Sequence, residues 1–345
     1  MALSSTAGHM ARNRWWLVKG ISMLLTLLVL LLITFLLSRL APIDPVLQVA
    51  GDHASLETYA KVSKELGLDQ PLFVQFADYL RHLLQGDMGM SRSTAQPVLG
   101  DLLRTFPATL ELATCAIILS ASGGLLLALL CVLKPGSWLD NTVRLVSLVG
   151  YSVPVFWMSL LGLLLFYAKL HWSAGPGVLD DVYLYTLERQ SGFILLDSWR
   201  SGDREMFINA LQHLWLPAVI LALLSMAGIT RLLRAALLEE CGKEYVVLAR
   251  AKGVGRVRLL LRHVLPNVLG TLITVLALSY TSLLEGAVLT ETVFAWPGIG
   301  RYLTTALFAS DTPAILGATL LIGSTFVLMN ALADALTHAV DPRSR

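Results

Sequence analysis

Charge is what this sequence has least of. Only 14% of its 345 residues are Asp, Glu, Lys or Arg, against 55% hydrophobic, and its mean hydropathy is +0.68. A water-soluble domain carries roughly 25% charged residues, so a soluble helical bundle is excluded by want of polar surface. Cysteine is nearly as scarce, with Cys115, Cys131 and Cys241 only. The first two would lie ~24 Å apart along one helix, too far to bridge, and no disulfide is expected. There is no G-x-x-x-x-G-K-S/T phosphate loop and no H-E-x-x-H, and the seven histidines are scattered. Nucleotide binding in the usual way, zinc chemistry and a metal cluster are therefore not expected of this chain. No Ser/His pattern at membrane depth recommends a protease, and the one short basic hairpin is too small a face for nucleic acid.

Six long apolar segments are what the sequence has instead: Leu17–Leu40, Pro107–Leu133, Val143–Lys169, Leu211–Leu233, Val268–Leu289 and Pro313–His338. A helix rises ~1.5 Å per residue, so about 20 residues cross the hydrocarbon core, and each segment meets that length. The first is much longer than the 7–15 apolar residues of a signal peptide and reads as a retained span.

Basic residues set the orientation. More than half of the 26 Lys and Arg fall in segments that share a side with the N-terminus, including Arg12, Arg14, Lys19, Lys134, Arg144, Arg231, Arg234, Arg250, Lys252, Arg343 and Arg345. Positive loops stay cytoplasmic, so both chain ends are expected inside. The outside segments then run from about Pro42 to Phe106 and from Leu170 to Ala210. Within the first, Ser55–Leu66 has helical spacing with Gly67 as a stop, and Leu72–Leu84 predicts a second helix with Phe73, Phe76, Tyr79 and Leu80 on one face.

Between the fourth and fifth segments lies RLLRAALLEECGKEYVVLARAKGVGRVRLLLRHVLPN, starting at Arg231. Ala249–Lys252 should be helical, Gly253 and Gly255 should break the helix, and a second helical run should follow over Arg256–His263. Leu265–Pro266 opens the next span.

At these residues the chain resembles the permeases of ATP-binding-cassette importers. Their hallmark is a loop with small residues, a turn glycine, and a Leu-Pro pair thirteen residues later; Gly253 and Pro266 keep that spacing. The family's leading Glu-Ala-Ala is replaced by Val247–Leu248–Ala249. Glu244–Tyr245 and Ala249–Gly253 look like the dipeptide, oligopeptide and nickel branch. So do Leu66–Pro71, Gly86–Ser91, Pro107–Leu112, Tyr151–Trp157 and Glu291–Arg301, in that order along the chain. Gly192–Asp197 leans towards the dipeptide members. The resemblance implies a bacterial inner-membrane permease that pairs with a second homologous permease, two ATPase subunits and an extracytoplasmic binding protein. ATP and magnesium would be held by the ATPases, so this chain has no cofactor and no catalytic residue of its own. The coupling residues would be Ala249, Arg250, Ala251, Lys252, Gly253, Gly255, Arg256 and Pro266.

The translocation pathway is expected from ionisable and kink-forming residues at membrane depth. An isolated charge at the bilayer centre costs at least ~2.5 kcal/mol, so such groups face a cavity or a partner. Glu285 departs from the small or neutral residue of related permeases and is a candidate for attracting the positive end of a peptide or a metal complex; pairing with the second permease is the alternative. Glu111 reads as a structural cap or a pathway residue, and Asp334 as reaching water at a span's end. Pro154 removes a backbone hydrogen bond and favours a kink, with Trp157 one turn on. Trp296–Pro297–Gly298 reads as a tight interfacial turn with Trp as an anchor. Gly123 and Gly124 allow close helix approach. His171 and His213 fall at the ends of spans and read as interfacial.

The expected fold is therefore all-α and polytopic, with six transmembrane helices, outside helical caps and a cytoplasmic coupling-helix loop. Its parts are a cytoplasmic tail (1–16), a first span (17–40), an extracytoplasmic segment (41–106), a five-helix core (107–340) with its coupling loop at 234–266, and a second tail (341–345). No repeat or linker divides it into independent domains. The expected cargo is di- or oligopeptide, with nickel or a metal chelate as the alternative. A secondary transporter is the rival from another class, although the large loop would have no use there.

Overall fold

Leucine-rich stretches with few charges form long helices because the bilayer offers no partner for a free backbone N–H or C=O. A computed structural model describes residues 3–40, 45–51, 54–65 and 67–340. The expected tail at 341–345, with Arg343 and Arg345, lies outside the described residues, as does Leu66. In chain order the helices begin with α1 (Leu3–Leu40), α2 (Pro45–Ala50), α3 (Leu56–Glu65), α4 (Leu72–Leu84), α5 (Val98–Leu133), α6 (Trp138–Ser152) and α7 (Val155–Gly162). There follow α8 (Asp181–Leu184), α9 (Ile194–Arg200), α10 (Arg204–Cys241), α11 (Glu244–Ala251), α12 (Arg256–Leu259), α13 (Leu265–Val293), α14 (Ile299–Phe308) and α15 (Thr312–Val340). Among the described residues the only β pairing is the isolated Met90–Pro97 bridge.

Among the described residues, five stretches are long and apolar enough to cross a membrane: Leu17–Leu37, Val98–Leu133, Arg204–Cys241, Arg256–Val293 and Thr312–Thr337. The third expected span differs. It is not one helix over Val143–Lys169 but two pieces, α6 and then α7 continued by a π-helical turn over Leu163–Lys169. Pro154 is the cause. It lacks an N–H and pushes the preceding residue out of the helical region; Val153 is extended, at φ −86° and ψ 128°. The piece from Val155 to Lys169 is about 22 Å long, short of the ~30 Å core. The fourth and fifth spans also start earlier and end later than hydropathy alone marks, because polar turns continue the helical hydrogen bonding beyond the apolar run.

The chain divides into two compact units. The first comprises residues 1–104 and 302–327. Here Phe35 of α1 is 2% exposed and packs on Phe76 and Tyr79 of α4, with ring centroids at 5.3 and 5.8 Å. Asp311 receives Ser91 Oγ–H at 2.8 Å and the Ser93 N–H at 2.9 Å, which fastens the turn before α5 to the start of α15.

The second unit comprises residues 105–301 and 328–345. Its centre is α10. Lipid tails are as apolar as leucine, so close packing rather than escape from water joins helices here. A Cβ at Gly123 or Gly124 of α5 would crowd Met226 or Ile229 of α10, and Thr230 Oγ1–H of α10 reaches the Gly124 carbonyl at 3.4 Å. Two buried clusters run along this packing. One holds Leu112, Ile194, Leu214, Leu221 and Trp296; the other holds Ile229, Leu233, Leu237, Val246, Leu259 and Val264.

Candidate coupling loop and translocation face

The loop between α10 and α13 is built by short-range chain chemistry. Lys252 ends α11, and Gly253 follows at φ +81°. The Gly253 N–H donates to the Arg250 carbonyl at 3.0 Å, and the Val254 N–H to the Ala249 carbonyl at 3.2 Å. These paired bonds form a Schellman cap, which needs a left-handed residue at its centre and so favours glycine. Val254 and Ala249 both pack against the same buried cluster. Gly255 then starts α12 with extended angles, φ −63° and ψ 148°.

Beyond α12, a π-helical turn over Leu260–Val264 leads into α13 with Pro266 at its start. A proline ring collides with the carbonyl four residues back and leaves it unpaired; the wider turn relieves both problems. Leu265–Pro266 thus lies within one helical run from Arg256 to Val293.

Two anchors hold α11 against the helix ends. Val246 is fully buried beneath it. The Tyr245 hydroxyl donates to Glu240 Oε1 at 2.7 Å and accepts from Asn267 Nδ2–H at 2.8 Å, linking α10 to α13. Burial, followed by the hydrogen bond to Glu240, raises the Tyr245 pKa. Lys243 pairs with the same Glu240 at 2.5 Å. The opposite face of α11 is open: Val247 is 57% and Leu248 58% exposed, beside exposed Arg250, Ala251, Lys252 and Arg256.

Further along, Arg234 of α10 grips Asp140 of α6 through Nε at 2.6 Å and Nη2 at 2.7 Å. The Arg234 hydrogen bonds, helped by the Gly136 N–H, hold the Asp140 carboxyl down at about 2.

The expected pathway residues separate. Glu285 is exposed on α13, in a stripe with Thr271, Leu278, Ser282, Leu289 and Thr292, all exposed and spaced three, four or seven residues apart. Thr114 Oγ1 and Tyr280 OH meet at 3.2 Å beside it. Trp157 is 50% exposed on α7, and Pro154 is the residue before that helix. Glu111 points elsewhere: it is buried, and its oxygens accept the Ile194 N–H at 2.9 Å and the Leu195 N–H at 2.7 Å. It caps α9, whose first N–H groups have no helical partner. Asp334 is half-buried on α15.

Trp296 is not at an interface. It is 1% exposed, and its Nε1–H donates to the Ala108 carbonyl at 2.9 Å. Beside it, Glu291 accepts the Gly300 N–H at 2.7 Å and threads past Gly298, where a Cβ would overlap its carboxylate. His213 is buried as well, bonded through Nδ1 to the Asn209 carbonyl at 3.0 Å. It shares a polar cavity of about 530 Å³ with His171, Asp180, Tyr167 and Trp172. Among the described residues no group of three His, Cys, Asp or Glu could hold a metal ion. Sequence reading missed Asp140–Arg234, Glu291 and the Asp180–Asn209–His213 cluster. An acid in or beside an apolar run was the signal available for Asp140 and Glu291, both buried; Asp180 is exposed in a polar segment and offered none.

Residues 122–345 match the family described as "Binding-protein-dependent transport system inner membrane component". The chain belongs to that family. Residues 13–113 match its N-terminal membrane-component family, so the permease is covered almost end to end. It is 44% identical over 311 residues to the "Probable D,D-dipeptide transport system permease protein" of Escherichia coli, covering 90% of this chain and 91% of that one. It is 41% identical over 315 residues to the di/tripeptide transport system permease protein of Pseudomonas aeruginosa, covering 91% and 93%. The dipeptide transport system permease protein of Escherichia coli is 38% identical over 318 residues, covering 91% and 93%. The permease is thus an all-α, multi-pass membrane protein of the inner-membrane transport type, as its spans and this family agree.

Proposed function

We propose that this permease forms one half of the membrane pathway of an ATP-driven, binding-protein-dependent importer of di- and oligopeptides. The observation that carries this reading is the Schellman-capped α11, fastened on one side by Val246 and Tyr245 and open on the other. Relatives named for dipeptide transport supply the cargo class; none of them favours nickel, and family membership favours this machine over a secondary transporter.

Both chain ends and the α10–α13 loop face the cytoplasm in this reading, in keeping with the excess of Lys and Arg there. The exposed face of α11, with Val247, Leu248, Ala251 and its basic rim, seats in a cleft of an ATPase subunit. Nucleotide and magnesium belong to those ATPases. Closure of the ATPase pair pushes α11, and the Tyr245–Glu240–Asn267 link passes the movement to α10 and α13 together. The polar stripe through Ser282 and Glu285 lines a cavity shared with a second, homologous permease, which explains an exposed carboxylate at membrane depth.

The test is reconstitution of the permease with its genomic neighbours: a second permease, two ATPases and a binding protein. Peptide-stimulated ATP hydrolysis and dipeptide uptake are expected, and replacing Val247 and Leu248 by Asp should uncouple them. The reading fails if no ATPase associates, or if nickel chelates enter and peptides do not.

A further inference from the structure

The polar cavity of about 530 Å³ beside His213 has an unused acceptor in its wall. His213 is 4% exposed, and its Nδ1 meets the Asn209 carbonyl at 3.0 Å. A carbonyl only accepts, so Nδ1 carries the proton and the neutral ring leaves Nε2 as a bare lone pair. Asp180 Oδ1 stands 3.7 Å from that nitrogen, beyond hydrogen-bond reach. Both side chains line the cavity, together with Asp181, His171 and Tyr167, and no Lys or Arg does.

One residue, Asn209, orients both groups from behind. Its backbone carbonyl fixes the His213 ring. Its Nδ2–H donates to Asp180 Oδ2 at 2.6 Å, and its Oδ1 accepts the Asp180 N–H at 2.9 Å. The free atoms, Nε2 and Oδ1, are thus the two that face each other. Metal-binding imidazoles and carboxylates are held in this way, by a hydrogen bond on the atom turned from the ion. Two ligands of a tetrahedral ion, with bonds of ~2.0–2.1 Å, stand about 3.4 Å apart. The observed 3.7 Å is within a few tenths of an ångström of that bite, and the exposed Asp180 side chain is free to close it.

We propose that His213 Nε2 and Asp180 Oδ1 are two ligands of an exchangeable divalent transition-metal ion, with water in its other positions. Imidazole beside carboxylate suits zinc, copper or nickel, whereas magnesium and calcium take oxygen alone. Among the described residues no group of three His, Cys, Asp or Glu could hold a metal. The ion therefore has open positions and leaves readily, unlike structural zinc with its four protein ligands. When bound it clips the start of α8 to α10, because Asp180 immediately precedes the one and His213 belongs to the other. The site depends neither on the cargo class nor on the transport reading.

The test uses the full-length permease without a polyhistidine tag, stripped with a chelator. Equilibrium dialysis against Zn²⁺ at neutral pH should find about one site per chain. His213→Gln and Asp180→Asn should each weaken it about tenfold or more, and Asn209→Ala, which touches no metal, by about 10- to 100-fold. Asp180 is exposed, so Asp180→Asn gives the same readout should His213→Gln fail to fold. Co²⁺ should give visible absorption bands that His213→Gln removes, and Zn²⁺ should raise the melting temperature of the wild type but not of Asp180→Asn. Equal zinc affinity in wild type and Asp180→Asn overturns the proposal, as does a cobalt spectrum unchanged by His213→Gln. Displacement of zinc by millimolar Mg²⁺ marks a plain carboxylate site and overturns it too. So does a wild-type melting temperature that ignores zinc and rises on acidification to about pH 5, since His213 would then take a proton and not a metal.

Discussion

Arg234 closes on Asp140 with two hydrogen bonds, Nε to Oδ1 at 2.6 Å and Nη2 to Oδ2 at 2.7 Å, across 94 residues of chain. The fork matches the carboxylate in one plane, the strong form of this contact. The pair joins the start of α6 to α10 close to the loop that carries α11.

Asp140→Asn should therefore destabilise the permease near neutral pH by about 1–2 kcal/mol, discounted for screening by water. The sign follows from a carboxyl lowered from 3.8 to about 2 in the folded state. Its contribution is present above the unfolded value and is lost as pH falls through the folded one. Thermal melts of the purified complex should show wild type and Asp140→Asn converging between about pH 4 and pH 2. A constant gap over that window would show that the charge is not what holds the pair.

Gly253→Ala should weaken coupling more than folding. The left-handed φ of +81° is open to glycine and tolerable for Asn, but costs a branched or methyl side chain about 1 kcal/mol or more. Transport-coupled ATP hydrolysis should fall for Gly253→Ala and recover in Gly253→Asn. Equal activity of all three would mean that the turn's shape is not used.

Glu111→Ala should unfasten α9. It strands two N–H donors, each worth roughly 1–3 kcal/mol when buried without a partner, while Glu111→Gln keeps an acceptor and should cost less. Limited proteolysis around Gly192–Arg200 measures this directly; unchanged cleavage in Glu111→Ala would contradict the capping role.

Gly298→Ala should be destabilising by about 1–3 kcal/mol, because the added methyl meets the Glu291 carboxylate. Glu291→Ala also destabilises, by freeing the Gly300 N–H. Since both changes act on one contact, the double substitution should cost less than the sum. Additive melting shifts would show that the two residues act separately.

Glu285→Gln should leave assembly intact and reduce uptake of peptides with a free amino terminus about three- to tenfold, the size of a partly screened charge pair worth ~0.7–1.4 kcal/mol. Amino-terminally blocked peptides should be unaffected. If uptake and preference are both unchanged, the carboxylate serves the second permease and not the cargo.

By itself the sequence determined the class of solvent, the apolar spans and the helix, glycine turn and helix of Glu244–Leu259. These depend on neighbouring residues: an apolar run needs only its own length, and a glycine cap forms between carbonyls and amides a few positions apart. The break at Pro154 was legible as a kink, though not its severity. Only the tertiary structure decided where isolated polar groups go. Glu111 finds α9 across 83 residues, Trp296 finds the Ala108 carbonyl across 188, and Asp140 finds Arg234. Hydropathy says that such groups must be satisfied somewhere in the membrane. Which helix arrives to satisfy them is a matter of packing, set by small residues such as Gly123 and Gly124 against Met226 and Ile229, and no local pattern contains it.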